Sequence, residues 1–274
     1  MSIIYKPKGA AAEYAVYAVN FFNGCSNGCT YCYNKRGVAS KVCGAPMPVM
    51  KKGYKDEKEL WAAFYEELFN HIDDIRKHEL FLSFTTDPFL DECIELTNKV
   101  LFTAYQFNFH VYVLTKTADP EMLRFINSRY IHIGVTLTGH DEMESNASTN
   151  VQRINFLRKL HYQYVNTFAS IEPIIDFAKS LRMIRLAAPY TDEFRIGLMS
   201  PHKKGRYAKE EMQDFIHQLL ILQSCYNFEI MWKSSFRKLA EEYGIELTEN
   251  VNRYGREEID RTEIEGRANA GDFV

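Results

Sequence analysis

No apolar run in these 274 residues approaches the roughly 20 that a membrane-spanning helix needs. The N-terminus, MSIIYKPKGAAAEYAVYAV, has two lysines but no apolar stretch followed by a cleavage pattern, so export is not indicated. Nor is there an excess of positive charge. The 33 Lys and Arg stand against 36 Asp and Glu, a net of -3, which disfavours a chain that coats nucleic acid electrostatically. Low-complexity tracts and repeats of solenoid period are lacking too, which removes linker-like and stacked-array architectures. The expected setting is the cytoplasm, with no membrane partner.

The residues present are those of a packed globular chain, 46% hydrophobic and 14% aromatic, and long enough to bury a substantial core. Strand-like segments at 14–22, 79–85, 109–115, 131–137, 164–171, 194–199 and 228–232 are short, rich in β-branched and aromatic residues, and bounded by polar or Gly/Pro positions. Helical patterns lie between them at 57–77, 90–106, 119–128, 148–162, 176–188 and 207–226. In the first, Leu60, Phe64, Leu68, Ile72 and Ile75 recur on one face. Asp119-Pro120 is a helix-start signal. This alternation predicts a parallel α/β protein, either an open doubly wound sheet or a barrel, complete or partial. Residues 1–248 read as one core domain, and the polar stretch 249–274 as a surface tail or lid.

Six cysteines are present, and three of them, Cys25, Cys29 and Cys32, crowd into the segment NGCSNGCTYCY. A disulfide framework spreads its cysteines, whereas a tight cluster points to metal or redox chemistry. The spacing C-x3-C-x2-C, with Gly24 and Gly28 letting the backbone curl, suits three corners of a cubane iron–sulfur cluster and leaves its fourth iron without a protein ligand. Structural zinc is the rival, but it usually takes two ligand pairs, and no second pair follows in this chain. The loop comes directly after the first strand, at the end where parallel α/β folds keep their active sites. Cys93 and Cys225, inside helical patterns, read as core residues, and Cys43 lies in a Gly/Pro-flanked loop.

CxxxCxYCY after a first strand, in a chain of six βα units, resembles the radical S-adenosylmethionine (SAM) superfamily over roughly residues 14–240. Within that superfamily the chain looks most like the spore photoproduct lyase-like branch. Phe84-Thr85-Thr86-Asp87-Pro88 is similar to the lyase Cys-x-Ser-Asp segment, and Leu114-Thr115-Lys116-Thr117 to its T-K-S/T turn. The resemblance implies a partial (βα)6 TIM-like barrel with an extra seventh strand and a C-terminal tail. It also implies a [4Fe-4S] cluster on Cys25, Cys29 and Cys32, with SAM chelating the open iron. Reductive cleavage of SAM would then give a 5′-deoxyadenosyl radical that abstracts a substrate hydrogen. A reducing partner such as flavodoxin or ferredoxin is implied as well.

By the same resemblance Lys116 pairs with the SAM carboxylate, while Thr86 and Asp87 lie near its amino group. Thr136 bonds ribose or carboxylate, Tyr31 packs on adenine or cluster, Tyr33 relays a hydrogen atom, and Glu172 touches ribose, substrate or Lys116. Trp232-Lys233-Ser234 ends the last strand and either faces substrate or closes the edge. One departure is plain: the lyase's hydrogen-donating cysteine is matched here by Phe84. Repair of a DNA lesion is therefore disfavoured as the reaction, and nucleic acid as the partner. Peptide or protein modification stays open as the reaction, and so does a non-catalytic role as an iron–sulfur electron carrier.

Overall fold

The computed structural model describes residues 2–118, 129–199 and 205–248. The chain runs β1 (Ile4–Tyr5), β2 (Tyr17–Val19), β3 (Phe22–Asn23), α1 (Ser40–Cys43), β4 (Val49–Met50), α2 (Glu57–Ile75), β5 (Glu79–Leu82) and α3 (Ile94–Phe107). It continues as β6 (His110–Thr115), β7 (Ile131–Thr136), α4 (Asn150–Tyr162), β8 (Asn166–Ile174), α5 (Phe177–Ala187), β9 (Glu193–Leu198), α6 (Lys209–Tyr226), β10 (Glu229–Trp232) and α7 (Ser234–Glu242). Eight strands form one open sheet in the order β1-β2-β5-β6-β7-β8-β9-β10. All its pairings are parallel except β1 with β2. The expected partial barrel of six βα units with a further strand is thus the fold, with an antiparallel edge strand added.

Side chains alternate across the strands, and each set meets a different layer. Leu80, Leu82, Val111, Val113, Ile131, Ile133, Ala169, Ile171, Phe194 and Ile196 share one core with the helices. Phe81, Tyr112 and Phe168, from the intervening positions, join Tyr14, Ala15 and Ala18 in a second, aromatic cluster on the inner face. Leu60, Phe64, Leu68 and Ile75 of α2 are fully buried, each worth about 1.5–3 kcal/mol of transfer free energy, and Ile72 packs at the edge. Helix starts are capped as their sequences allow. Asp56 accepts from the Glu59 N–H at 3.0 Å, and Thr149 with Gln152 closes a capping box at α4.

Several boundaries shift. The strand expected over 14–22 divides into β2 and β3, because Asn20 turns away to accept from Ser83 and from the Phe84 N–H, both at 2.9 Å. Cys225 is exposed, correcting its core reading. The buried stripe of α6 is Met212, Phe215, Ile216 and Leu219, and position 225 falls off its period. Cys93 is buried as expected. The helix expected over 119–128 and the tail 249–274 lie outside the described residues. Among the described residues, no helix is long and apolar enough to cross a membrane.

Candidate functional site

β3 delivers the chain into the cysteine loop, and β4 pairs back on it, Phe22 opposite Met50 and Asn23 opposite Val49. Gly24 has φ +91°, and a Cβ there would meet the Cβ and carbonyl of Ala45 at 2.7 Å and the carbonyl of Met47. Only glycine permits both the dihedral and the approach. Its N–H donates to the Thr85 carbonyl at 3.0 Å, and the Cys25 N–H to the Ala45 carbonyl at 3.1 Å. From the other side comes the segment 143–146. Thr30 N–H donates to the Met143 carbonyl at 2.9 Å, Cys29 forms a β-bridge with Glu144, and the Asn146 N–H meets the Asn27 carbonyl at 3.2 Å. The Asn146 carboxamide adds a bond to the Ser26 carbonyl at 2.9 Å. Three separate segments therefore fix this loop.

Cys25, Cys29 and Cys32 line one pocket, together with Asn27, Asn34 and Cys43. Among the described residues, no group of three or more His, Cys, Asp or Glu side chains is placed to hold a single metal ion. Burial pushes the Cys25 thiol up to about 11, reinforced by the Asp87 carboxylate and opposed by two backbone hydrogen bonds and the Lys116 cation. Burial likewise raises Cys29, with Lys116 opposing. Thiolates at these positions call for an electrophile such as iron, and the donor set fits a cluster.

Asp87, 5% exposed, occupies the end of the segment after β5. One of its oxygens accepts from the Thr115 hydroxyl at 2.7 Å and the Phe89 N–H at 3.0 Å; the other accepts from the Asn27 carboxamide at 2.8 Å and the Lys116 N–H at 2.7 Å. The Lys116 ammonium lies 5.7 Å from the centroid of the Tyr31 ring, and no ion pair engages it among the described residues. The Tyr31 hydroxyl donates to Glu144, whose carboxylate also pairs with Arg153; both charged side chains are wholly buried. Arg153 in turn donates to the Thr136 carbonyl at 2.6 Å. Burial and the Glu144 charge hold the Tyr31 hydroxyl well above the usual phenol range. Thr86 sits beside the Cys93 thiol at 3.8 Å.

A second polar group occupies the inner face at β8–β10. Tyr14 donates to Glu172 at 2.8 Å and lies 3.2 Å from the Ser170 hydroxyl. The Lys233 ammonium is buried 3.4 Å above the Tyr14 ring, 3.5 Å from Glu13 and 3.8 Å from Glu172. Burial lowers the Lys233 pKa, and the two carboxylates oppose that shift. Glu172 fits because residue 197 is glycine: a Cβ there would come within 2.8 Å of the Glu172 carboxyl carbon. Phe84 connects this group to the cysteine loop. Its ring packs edge-on against Tyr14 at 5.8 Å, and its carbonyl accepts from Tyr33 and, at 3.0 Å, from Asn34.

The structure thus gathers Cys25, Cys29, Cys32, Asp87, Lys116, Tyr31 and, through Arg153, Thr136 around one end of the sheet. Tyr33 is 58% exposed with its hydroxyl tied to Phe84, and the partners of Glu172 are Tyr14 and Lys233. Sequence reasoning missed Asn27, Glu144 and Arg153. The one available signal was Arg153 itself, which shares the helical face of Ile154, Leu157 and Leu160, where a solvated arginine is out of place.

An open, mostly parallel α/β sheet with three thiols on the loop after its first parallel strand puts the candidate site at the C-terminal strand ends. The family model described as "Radical SAM superfamily" matches residues 19–183, more than half of the chain, and the chain belongs to that superfamily. The structure of spore photoproduct lyase complexed with dinucleoside spore photoproduct is similar at a TM-score of 0.59 and 14% identity, covering 83% of this chain and 78% of that one. Streptococcus suis SuiB bound to S-adenosylmethionine is similar at 0.53 and 9%, covering 78% of this chain and 49% of SuiB. SuiB bound to its precursor peptide SuiA is similar at 0.52 and 11%, covering 87% and 55%. At such identities the likeness is one of fold. Comparison with curated protein sequences finds no match.

Proposed function

We propose that the protein is a radical SAM enzyme that holds one [4Fe-4S] cluster through Cys25, Cys29 and Cys32. The observation that carries this reading is the pocket shared by the three thiols, with the Lys116 cation close by and in no ion pair among the described residues. When bound, the cluster and SAM supply reductive cleavage of the sulfonium to a 5′-deoxyadenosyl radical, which removes a hydrogen atom from the substrate. The protein supplies position. Lys116 offers a point cation to the SAM carboxylate. Tyr31, Thr86, Asp87 and Thr136 form the polar edge of the cofactor site, and Tyr33 and Glu172 face the substrate side.

The Phe84 ring, stacked on Phe81 at 4.3 Å, has no hydrogen atom to donate as a thiol does, so the reaction differs from lesion repair by a cysteine donor. The setting that goes with this chemistry is a cytoplasmic enzyme served by a flavodoxin- or ferredoxin-type reductant, with one core domain over 1–248 and a polar tail over 249–274. The test is anaerobic reconstitution followed by incubation with SAM and a strong reductant. About four iron and four sulfide per chain are expected, together with slow release of 5′-deoxyadenosine without substrate. Iron uptake with no 5′-deoxyadenosine under any reductant, and a cluster spectrum indifferent to SAM, would make the protein an electron carrier instead.

A further inference from the structure

The Asp87 carboxylate stands between the two halves of the cofactor site. Both of its oxygens are filled by protein donors, two apiece, which uses the hydrogen-bonding capacity of an ionised carboxylate. The donors come from three places: the cysteine loop (Asn27), the end of β6 (Thr115 and Lys116) and its own turn (Phe89). One oxygen alone holds the Asn27 side chain, between Cys25 and Cys29, and the backbone N–H of Lys116. The bracket is itself braced. Thr115 accepts from the Thr117 N–H at 2.8 Å, the Asn27 carbonyl accepts from the Asn146 N–H at 3.2 Å, and the Lys116 carbonyl accepts from the Ser148 N–H at 3.1 Å. Asn27 is 4% exposed and Asp87 5%, so water is largely kept from these bonds.

A carboxylate so saturated has nothing left to offer an ammonium group. We infer that Asp87 is a positioning residue that holds the backbone at Lys116, and so the base of its side chain, against the cysteine loop, and is not itself a ligand of the SAM amino group. The inference rests on the function proposed above, in which the loop carries the cluster and Lys116 meets SAM. One carboxylate oxygen ties the cysteine loop directly to the base of the Lys116 side chain, through one side-chain bond and one backbone bond, while Asn146 and Ser148 brace the two ends. The effects of Asp87 and Lys116 on SAM should therefore be one effect, not two.

A double-mutant cycle reads this directly. Asp87→Ala, Lys116→Ala and the double variant are reconstituted anaerobically, and iron per chain is measured. SAM affinity is then taken from the change SAM causes in the electron paramagnetic resonance spectrum of the reduced cluster. Asp87→Ala is expected to keep its iron while weakening SAM about 10–100-fold, the usual cost of losing a supporting contact. The double variant should bind SAM within about twofold of Lys116→Ala alone, since independent sites would multiply their losses. Multiplied losses would overturn the inference and make Asp87 a direct contact.

If Asp87→Ala does not fold, Asp87→Asn keeps the shape and one acceptor oxygen. Folding is checked by circular dichroism, and its SAM affinity should fall between those of the wild type and Lys116→Ala. Wild-type affinity in Asp87→Asn would equally overturn the inference. A wild-type cluster whose spectrum ignores SAM would overturn the proposed function and this inference with it. A responsive wild type with multiplied losses removes the inference alone.

Discussion

Neutralising Glu144 isolates one of the supports beneath the cysteine loop. Glu144 and Arg153 form an ion pair with both side chains at 0% exposure, and Glu144 also accepts from Tyr31. With Glu144→Gln the guanidinium keeps the Thr136 carbonyl at 2.6 Å and a distant Asp141 at 3.8 Å, but loses the charge that matches its own. Stranding one member of a buried pair costs about 3–5 kcal/mol, and the low end applies here because the glutamine carbonyl still accepts a hydrogen bond. At about 2–4 °C per kcal/mol for a chain near this size, the melting temperature of cluster-free protein should fall by about 6–12 °C. Differential scanning calorimetry measures the fall. Adding Arg153→Met removes the stranded charge and should restore most of the loss, because neutral replacements of a buried pair are tolerated. A fall below about 2 °C in the single variant, or a double variant less stable than the single, would refute the reasoning.

Two further outcomes follow from the same geometry. Gly24→Ala must displace the carbonyls of Ala45 and Met47 at a φ of +91°, breaking the Cys25 bond to Ala45; a loss of about 1–3 kcal/mol in urea unfolding and lower iron retention are expected. Alkaline stability is set by buried phenols: burial lifts Tyr5 to about 12, and burial with Glu172 lifts Tyr14 well above its ordinary value. The folded form holds these protons more tightly than an unfolded chain, whose phenols titrate near 10. Their contribution is complete below about pH 10 and is lost as pH rises through 12 and beyond, so the urea midpoint should fall over that range and fall less in Tyr5→Phe.

Legibility in the sequence followed locality. The strands β5 to β10 and the helix α2 declare themselves because each repeats its own short pattern, two-residue or helical, without outside help. The cysteine spacing is equally local, three thiols within eight residues. α7 escaped notice because Phe236, Leu239 and Ala240 are its only buried residues, too few to show a period. Asp87 read as a cofactor contact beside a turn proline, since nothing in 84–88 announces that its partners stand at 27, 115 and 116. Glu144 was invisible for a related reason. It lies in the charged run DEMES, whose composition reads as solvated loop, and only the fold brings it under Tyr31. Cys225 was misjudged because apolar neighbours along the chain are not neighbours across a helix.

The supports of the cysteine loop have a consequence for the order in which the molecule can be made. Asn146 reaches back across 120 residues to hold Ser26, and Thr30 waits on Met143 in the same way. On the ribosome the three thiols emerge several seconds before the segment that walls them in, at about 5–20 residues per second. Throughout that interval they are reactive side chains on an unfinished surface. On the proposed function, loading of metal and sulfide would therefore belong after residue 146 has left the exit tunnel, and a chain arrested before it would present all three thiols without the segment that walls them in.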